Sequence, residues 1–499
     1  MPHPFTSQQQ AFVDAMLHSE GSILMEAVAG SGKTTTMVGG ANALPESTSI
    51  IACAFNKRNA DALDQVMPSH ATCKTMNGLG HKAWGRMTGK RLALETSKTF
   101  QLVKRLELWD FADIMLASRI AKSAGYIPEG AMGGANARAL HSEGEEFWPQ
   151  CIDDHLIDTK GRDRAWMNAA DDLVRASIKE AWQGSIDFDD QIYMTALWGA
   201  PMDVADVVIV DEVQDISPIQ RVMIHRMAKR RLAGAGDRNQ AIYGFRGASF
   251  SSMDEFSHEW NCTEMPLTVC FRCPQEVVRE AQQLVPHIEW ADDAPQGLVQ
   301  HHEKWTIGDL RSGDVIICRN NKPAVSLAFA LLRQGVHCTV LGRDIGKNLI
   351  RQVKKIADRL GTTDLLEWRK ELDHWTANEC GVARAKFNEG KVQNLEDRRD
   401  TLHIFAENCG GDGIEHLIAA IERLFSDSKA PITLSTIHKV KGLEFPRVFF
   451  LDRHLLPSKY ANGGDQLQQE DNLVYVGITR ALEELHYITS EGLQYAPSN

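Results

Sequence analysis

The run Met25 to Met37, MEAVAGSGKTTTM, holds residue types at the spacing that phosphate chemistry needs. Within it, Ala29-Gly30-Ser31-Gly32-Lys33-Thr34 ends in Gly-Lys-Thr, with Thr35 next. Gly30 and Gly32 permit backbone conformations that turn several N–H groups onto one anion, and a helix starting there presents its positive end to the same point. In such a loop Lys33 reaches the β and γ phosphates of a nucleotide, and the Thr34 hydroxyl holds Mg²⁺. Ala27 stands where the usual first glycine of the pattern falls. A second constellation is Val207-Val208-Ile209-Val210 running straight into Asp211-Glu212. An unbroken apolar run suits a buried parallel strand, which delivers both carboxylates at its carboxyl end. One would hold Mg²⁺ and the other would polarise an attacking water. The two constellations together imply an NTPase site.

Four further stretches carry polar or reactive groups in suggestive company. Gly236 to Ala248, GDRNQAIYGFRGA, follows a polar cluster containing Gln240 with Tyr243, Phe245 and Arg246, which combines phosphate sensing with base stacking. Phe5-Thr6-Ser7-Gln8-Gln9-Gln10 opens a helix with Thr6 or Ser7 as N-cap, and a glutamine there reads an adenine edge or simply completes a polar first turn. Asp187-Phe188-Asp189-Asp190 is an acidic turn that serves equally as a helix N-cap. Cys270-Phe271-Arg272-Cys273 is a C-x-x-C, but zinc needs a fourth ligand and usually a second C-x-x-C, and the chain has none.

The elements that must position these groups follow from apolar patterning. Ser49 to Phe55 reads as a buried strand ending in Asn56-Lys57, and a third such element ends near Thr72 to Thr75, before Met76-Asn77-Gly78-Leu79-Gly80-His81-Lys82. Strands alternating with helices indicate a parallel, doubly wound α/β sheet with ligands at the strands' carboxyl ends. Residues 98–124 and 163–183 show helical spacing without continuous β runs, which marks a helical insertion. The first sheet resumes at 207–210 and 231–235. A second α/β unit follows, with strands at 314–319, 337–341, 432–435, 447–451 and 486–488, a helix over 322–334, and a polar helical stretch over 350–428 whose charged segment Glu396 to Asp400 reads as a solvated face. At 499 residues the chain is too long for a single core. The expected division is a first sheet domain over 1–85 and 201–275 around an insertion over 86–200, then a second over 276–355 and 431–499 around an insertion over 356–430.

Composition narrows the setting. With 43% hydrophobic and 24% charged residues the chain is of ordinary globular make-up. No apolar stretch approaches the ~18 residues a membrane span needs. The opening MPHPFTSQQQ has neither a basic n-region nor an apolar h-region, so a cytoplasmic setting is expected. A formal net charge of −12 argues against a broadly basic surface but leaves room for a local groove that tracks a nucleic-acid backbone, with strong salt dependence.

In order along the chain, these stretches resemble the motifs of the superfamily 1 DNA helicases of the UvrD/Rep/PcrA type. FTSQQ resembles the adenine-reading motif, with Gln9 as reader; AVAGSGKT resembles the phosphate loop; FNKRNA and TMNGLGHK resemble two DNA-contacting motifs, implicating Phe55, Asn56, Lys57, Asn77 and Lys82. Asp211-Glu212-Val213-Gln214-Asp215 matches the family's DExQD box, and GDRNQAIYGFRGA its third motif. Phe271-Arg272 sits where the family has an aromatic stacked on adenine and an arginine on the γ phosphate. TIHKVKGLEF, with Thr436, His438, Gly442 and Glu444, resembles the fifth motif, Glu444 matching a ribose contact; YVGITRA resembles the sixth, making Arg480 the arginine finger. Asn77 replaces a usual histidine, Asn239 a usual acid, and Phe245 and Phe271 a common tryptophan and tyrosine. The second insertion is shorter than that of the well-known repair helicases.

The resemblance implies two RecA-like motor domains, ATP and Mg²⁺ as cofactors, and 3′-to-5′ movement on single-stranded DNA, with tailed or forked duplex as substrate. Asp211 is then the metal ligand beside Thr34, Glu212 the residue that orients water, Gln240 the phosphate sensor, and Lys33, Arg272 and Arg480 the cations that neutralise the phosphoryl group. Other classes stay open: a DNA-remodelling subunit that does not unwind alone, acting with a protein partner in a repair, replication or defence assembly, or an RNA-directed helicase.

Overall fold

A computed structural model describes residues 4–494 except 55–56, 109–110, 142–143, 155–156, 158, 160, 243–250, 386–388, 426–429, 460 and 462. By contacts, the described residues up to Val28 and from Gly32 to Leu267 form one unit, and Ala29–Ser31 with those from Thr268 onward form the other. The division falls at Leu267/Thr268, a few residues ahead of the expected boundary after 275.

The first unit is built on a six-stranded parallel sheet in the order Ala71–Thr75, Ile50–Ala54, Ala205–Val210, Ala228–Gly236, Ile23–Ala27, Thr263–Leu267. The apolar runs explain why its interior strands are buried on both faces. Ile23, Met25, Ile50, Ala52, Val207 and Ile209 enter one hydrophobic cluster, whereas Leu24, Ile51, Cys53, Val208 and Val210 enter another. This is the period of two expected of a pleated strand. The first cluster is closed by the helix Ser7–His18 through Phe12 and Met16 and by Met37 and Ala41 of the helix Lys33–Ala43. Gly40 permits that close approach: a Cβ there would lie 2.7 Å from Met16 Cγ. The second cluster continues without a break into a helical insertion comprising Lys98–Arg105, Phe111–Ala124, Gly144–Asp154 and Asp163–Gln183, through Leu102, Ile114, Trp148 and Trp166. The helix Gly144–Asp154 was not legible in the apolar spacing.

Where the chain returns from that insertion, the helix Phe188–Leu197 starts on Asp187, whose carboxylate caps the Asp190 N–H in a reciprocal capping box. The acidic turn does more than cap. Lys98 Nζ donates to Asp190 Oδ2 at 2.6 Å and to the carbonyls of Ser177 and Ser185, each at 2.8 Å. Lys122 Nζ meets Asp190 Oδ1 at 2.7 Å and Asp187 Oδ2 at 2.9 Å. All four side chains are buried, so two ammonium groups neutralise two carboxylates inside the fold.

The second unit has its own six-stranded parallel sheet, in the order Leu298–His301, Ala481–Ile488, Phe445–Leu451, Val315–Cys318, Ile432–Thr436, Cys338–Val340. The helix expected over 322–334 is Asn321–Arg333. The helices Arg343–Leu360, Leu365–Ala385, Glu389–Asn408 and Ile414–Leu424 form the insertion, and Val353, Trp368, Leu402 and Leu417 join Ile316 and Leu434 of the sheet in one cluster. The charged segment Glu396 to Asp400 is not merely a solvated face. Asp397 accepts the N–H groups of Asn321 at 3.2 Å and Lys322 at 3.0 Å, which caps the start of Asn321–Arg333 from another element.

Candidate functional site

In the first unit the phosphate loop leaves the strand Ile23–Ala27, and Gly32, at φ +77°, is the left-handed N-cap of the helix Lys33–Ala43. Glycine takes that conformation without the cost a side chain incurs. Lys33 then points its ammonium at the carboxylates that end the strand Ala205–Val210: Nζ lies 3.3 Å from Asp211 Oδ1 and 2.8 Å from Glu212 Oε2. Glu212 itself sits at φ +56°, which is uncommon for a residue with a side chain. Burial pulls the Lys33 pKa down, but Glu212 and Asp211 overcome it and hold the ammonium above its ordinary value. Burial raises Asp211, with Lys33 as the main opposing charge.

Gln214, which the sequence reading quoted within the DExQD box but gave no role, joins this pair to the third motif. Its Nε2 donates to Glu212 Oε2 at 2.5 Å, and its Oε1 accepts the Asp237 N–H at 3.1 Å. Gln240 donates in turn to Asp237 Oδ2 at 2.7 Å. Burial raises the Asp237 carboxyl to about 6, against the hydrogen bonds from Gln240 and the Asn239 N–H. Arg238 fastens the same turn to Glu26 on the strand that feeds the phosphate loop and to Asp254. The carboxylates of Asp211 and Glu212, already drawn to one cation, are hard oxygen donors of the type a divalent ion takes.

Gln9 closes the start of the helix Ser7–His18. Its Oε1 accepts the Thr6 N–H at 3.0 Å while Thr6 Oγ1 accepts the Gln9 N–H at 3.2 Å, a capping box. The amide nitrogen of Gln9 faces the phosphate loop, since a Cβ on Gly32 would lie 2.8 Å from it.

Among the DNA-contact candidates, Lys57 begins the helix Lys57–Asp64 and is exposed. Asn77 Nδ2 donates to the Phe188 carbonyl at 2.7 Å and to Gln191 Oε1 at 3.0 Å. Asn77 also lines one small cavity with Asp211, Glu212 and Gln220, so a DNA-contact candidate and the carboxylates border the same space. Lys82 pairs with Asp203 at 2.8 Å, an anion that a phosphate would have to replace. Phe55, Asn56, Tyr243, Phe245 and Arg246 lie outside the described residues. Phe188, whose carbonyl Asn77 holds, is 54% exposed.

In the second unit, Ala29–Ser31 hold to the residues with which they group: the Ala29 N–H donates to the Tyr475 hydroxyl at 2.8 Å and the Gly30 carbonyl accepts the Phe271 N–H at 2.9 Å. Arg272 Nη2 meets Glu444 Oε1 at 2.5 Å and its Nη1 reaches the Thr479 carbonyl at 3.4 Å. Gly442, at φ +82°, lies in the turn that leads to Glu444. Thr436 ends the strand Ile432–Thr436, and His438 is in the following short helix Ile437–Val440. Arg480 is turned inward and almost wholly buried; it donates to the carbonyls of Val476 at 2.9 Å and Leu443 at 3.2 Å. Burial, and then the neighbouring Arg272, lower it to about 10.

Two family models match the chain. The UvrD/REP helicase N-terminal domain covers residues 6–261 and the UvrD-like helicase C-terminal domain residues 370–492. The F-box DNA helicase protein 1 of Schizosaccharomyces pombe is 24% identical over 96% of this chain and 57% of that protein. The ATP-dependent DNA helicase PcrA of Leuconostoc citreum is 20% identical over 64% of this chain and 61% of that protein. The chain thus spans between half and two thirds of these relatives. A shorter stretch, 19% of the chain, is 42% identical to DNA helicase II of Salmonella typhimurium.

Proposed function

The chain belongs to the UvrD/REP helicase family, and from that premise we propose that it is an ATP- and Mg²⁺-dependent helicase and translocase, stimulated by single-stranded DNA and moving 3′ to 5′. The observation that supports this best is the convergence of Lys33 on Asp211 and Glu212, joined through Gln214 to Asp237 and Gln240. When nucleotide binds, Lys33 exchanges its carboxylate partners for the β and γ phosphates. Glu212 is then relieved of its counter-ion and can accept a proton from water. Thr34 and Asp211 would hold Mg²⁺, which supplies charge neutralisation on the phosphate oxygens. Gln214 and Gln240 carry the change at the phosphates into the third motif. Arg272 and Arg480 are proposed to neutralise charge developing on the phosphoryl group, and for Arg480 this requires leaving the carbonyls of Val476 and Leu443.

On the DNA side, Lys57 and Lys82 are proposed to meet phosphates, and Asn77 with Phe188 a base, in a short groove that the net charge of −12 leaves room for. Unwinding of a tailed duplex by the purified chain, with both tail polarities and with DNA or RNA oligomers as stimulant, tests the proposal. Displacement from a 3′ tail alone, with DNA the stronger stimulant, is expected; DNA-stimulated hydrolysis without strand displacement would assign the chain to a remodelling subunit instead.

A further inference from the structure

The short strand Val269–Cys270 is followed by a bend over 271–273 and then the helix Gln275–Ala281, which brings Cys270 and Cys273 together across one turn. The Cys273 N–H donates to Cys270 Sγ at 3.4 Å, which sets the two cysteines side by side. Cys273 Sγ also reaches the Thr479 carbonyl at 3.7 Å. Both cysteines are buried and reduced. The hydrogen bond from Cys273 lowers the Cys270 pKa, against burial and with help from the backbone N–H groups of Cys273 and Arg272; the same hydrogen bond, with burial, raises Cys273. A nucleophilic thiolate beside a protonated resolving thiol is the division of labour a dithiol needs. Burial instead pushes up the thiols of Cys53, Cys73, Cys318 and Cys338. Among the described residues no group of three or more His, Cys, Asp or Glu is arranged to hold a metal.

We propose that Cys270 and Cys273 are a redox-active dithiol, oxidised by hydrogen peroxide to a disulfide that closes a ring around Phe271 and Arg272 and withdraws them from nucleotide. The Cys270 thiolate attacks one peroxide oxygen; the O–O bond breaks, Cys270 becomes a sulfenic acid, and the departing hydroxide takes up a proton to leave as water. The Cys273 sulfur then attacks the Cys270 sulfur; the S–O bond breaks, and the hydroxide leaves with the Cys273 proton as a second water. Each sulfur is oxidised by one electron and the peroxide is reduced by two. A small oxidant suits two buried thiols, and an added dithiol reverses the step by exchange. The proposed disulfide rests on the placement of Cys270 and Cys273 across one turn; its effect on binding rests on the proposed nucleotide role of Phe271 and Arg272.

The test treats the full chain with graded hydrogen peroxide, alkylates the remaining thiols and maps linked peptides by mass spectrometry, while a fluorescent ATP analogue reports binding before and after dithiothreitol. A Cys270–Cys273 link is expected to form ahead of oxidation at any other cysteine. Analogue affinity should fall roughly 5- to 150-fold, the value of one lost base–aromatic stack, and recover on reduction. Cys273→Ala should bind the analogue as the reduced protein does and lose the reversible response. Oxidation of other thiols without the link overturns the proposal, as does a formed link with unchanged affinity. If the reduced protein does not bind the analogue, the nucleotide reading of this turn has failed, and the mapped link still decides the dithiol.

Discussion

Phe188→Ala tests the DNA contact proposed for this ring separately from the fold that carries it. Phe188 is 54% exposed at the first position of the helix Phe188–Leu197. The substitution leaves intact both the Asp187 cap and the main-chain carbonyl that Asn77 holds at 2.7 Å. Alanine is also the better helix former, so stability should change by no more than about 0.5 kcal/mol. If the ring stacks a base, its loss removes roughly 1–3 kcal/mol, and single-strand affinity should fall on the order of 5- to 150-fold. The ring is uncharged, so the slope of log affinity against log salt should be unaltered, whereas Lys82→Ala should reduce that slope by about 0.7 for one lost phosphate contact. Fluorescence anisotropy with a labelled single strand at several salt concentrations, together with thermal melting, measures all of this. ATPase at saturating DNA should stay near the starting value, with more DNA needed to reach it. A well-folded Phe188→Ala protein that binds DNA as tightly as its parent would refute the role given to the ring.

Other substitutions probe the carboxylates and the buried ions. Glu212→Gln should retain Mg·ATP binding and lose hydrolysis, because the amide keeps the shape but accepts no proton; loss of binding as severe as that of Asp211→Ala, read with a fluorescent nucleotide, would show the roles to be exchanged. Lys98→Met strips Asp190 of one counter-ion and leaves the carbonyls of Ser177 and Ser185 without their donor, so denaturant unfolding should show a loss of about 3–5 kcal/mol. In the same network Lys122 and Lys98 outweigh burial and depress Asp187 below its ordinary 3.8, so the stability it contributes is present above about pH 4 and is lost as pH falls further. Asp237 has the opposite sign. Its carboxyl is raised to about 6, the folded state therefore holds the extra proton, and stability declines as pH rises from about 4 to about 6. Asp237→Asn abolishes that slope, and its stability relative to the parent should grow by about 3 kcal/mol between pH 4 and pH 7 in urea titrations; a difference independent of pH would show that Asp237 ionises freely.

The sheets were legible because burial on both faces forces continuous apolar runs: Val207 to Val210 needed no tertiary information to be read as an interior strand. The carboxylates followed, since a strand's end fixes where the next two residues stand. Contacts made at long range were hidden. Nothing near Asp187 and Asp190 in sequence announces that Lys122 and Lys98 will reach them, and a lysine in a helical pattern reads as surface until its partner is known. Asp397 looked solvated for the same reason, its partners being the main-chain N–H groups of Asn321 and Lys322. Gln9 shows a different limit: one side chain satisfied two readings, and only geometry revealed that its carbonyl closes a cap.

Each unit uses the same backbone device at the end of an interior strand, and the difference in what it holds bears on where hydrolysis belongs. In the first, Ala205–Val210 ends in Asp211, and Glu212 takes φ +56° before a single turn of 3₁₀ helix, Val213–Asp215. In the second, Phe445–Leu451 ends directly in Asp452 at φ +53°, before the similar turn Arg453–Leu455. A left-handed conformation costs a residue with a side chain about 1–2 kcal/mol, so each must be held by its surroundings. Asp452 is held by structure: its carboxylate accepts the N–H of Ser490 at 2.8 Å and the hydroxyl of Ser490 at 2.5 Å, bonds that tie the strand's end to the segment after Ile488. Glu212 meets instead the mobile ammonium of Lys33 and the amide of Gln214, partners that a nucleotide can rearrange. The same strained turn therefore ties a strand to its neighbouring segment at Asp452 and holds a carboxylate against Lys33 at Glu212, and the proton abstraction proposed for Glu212 rests on that difference in partners.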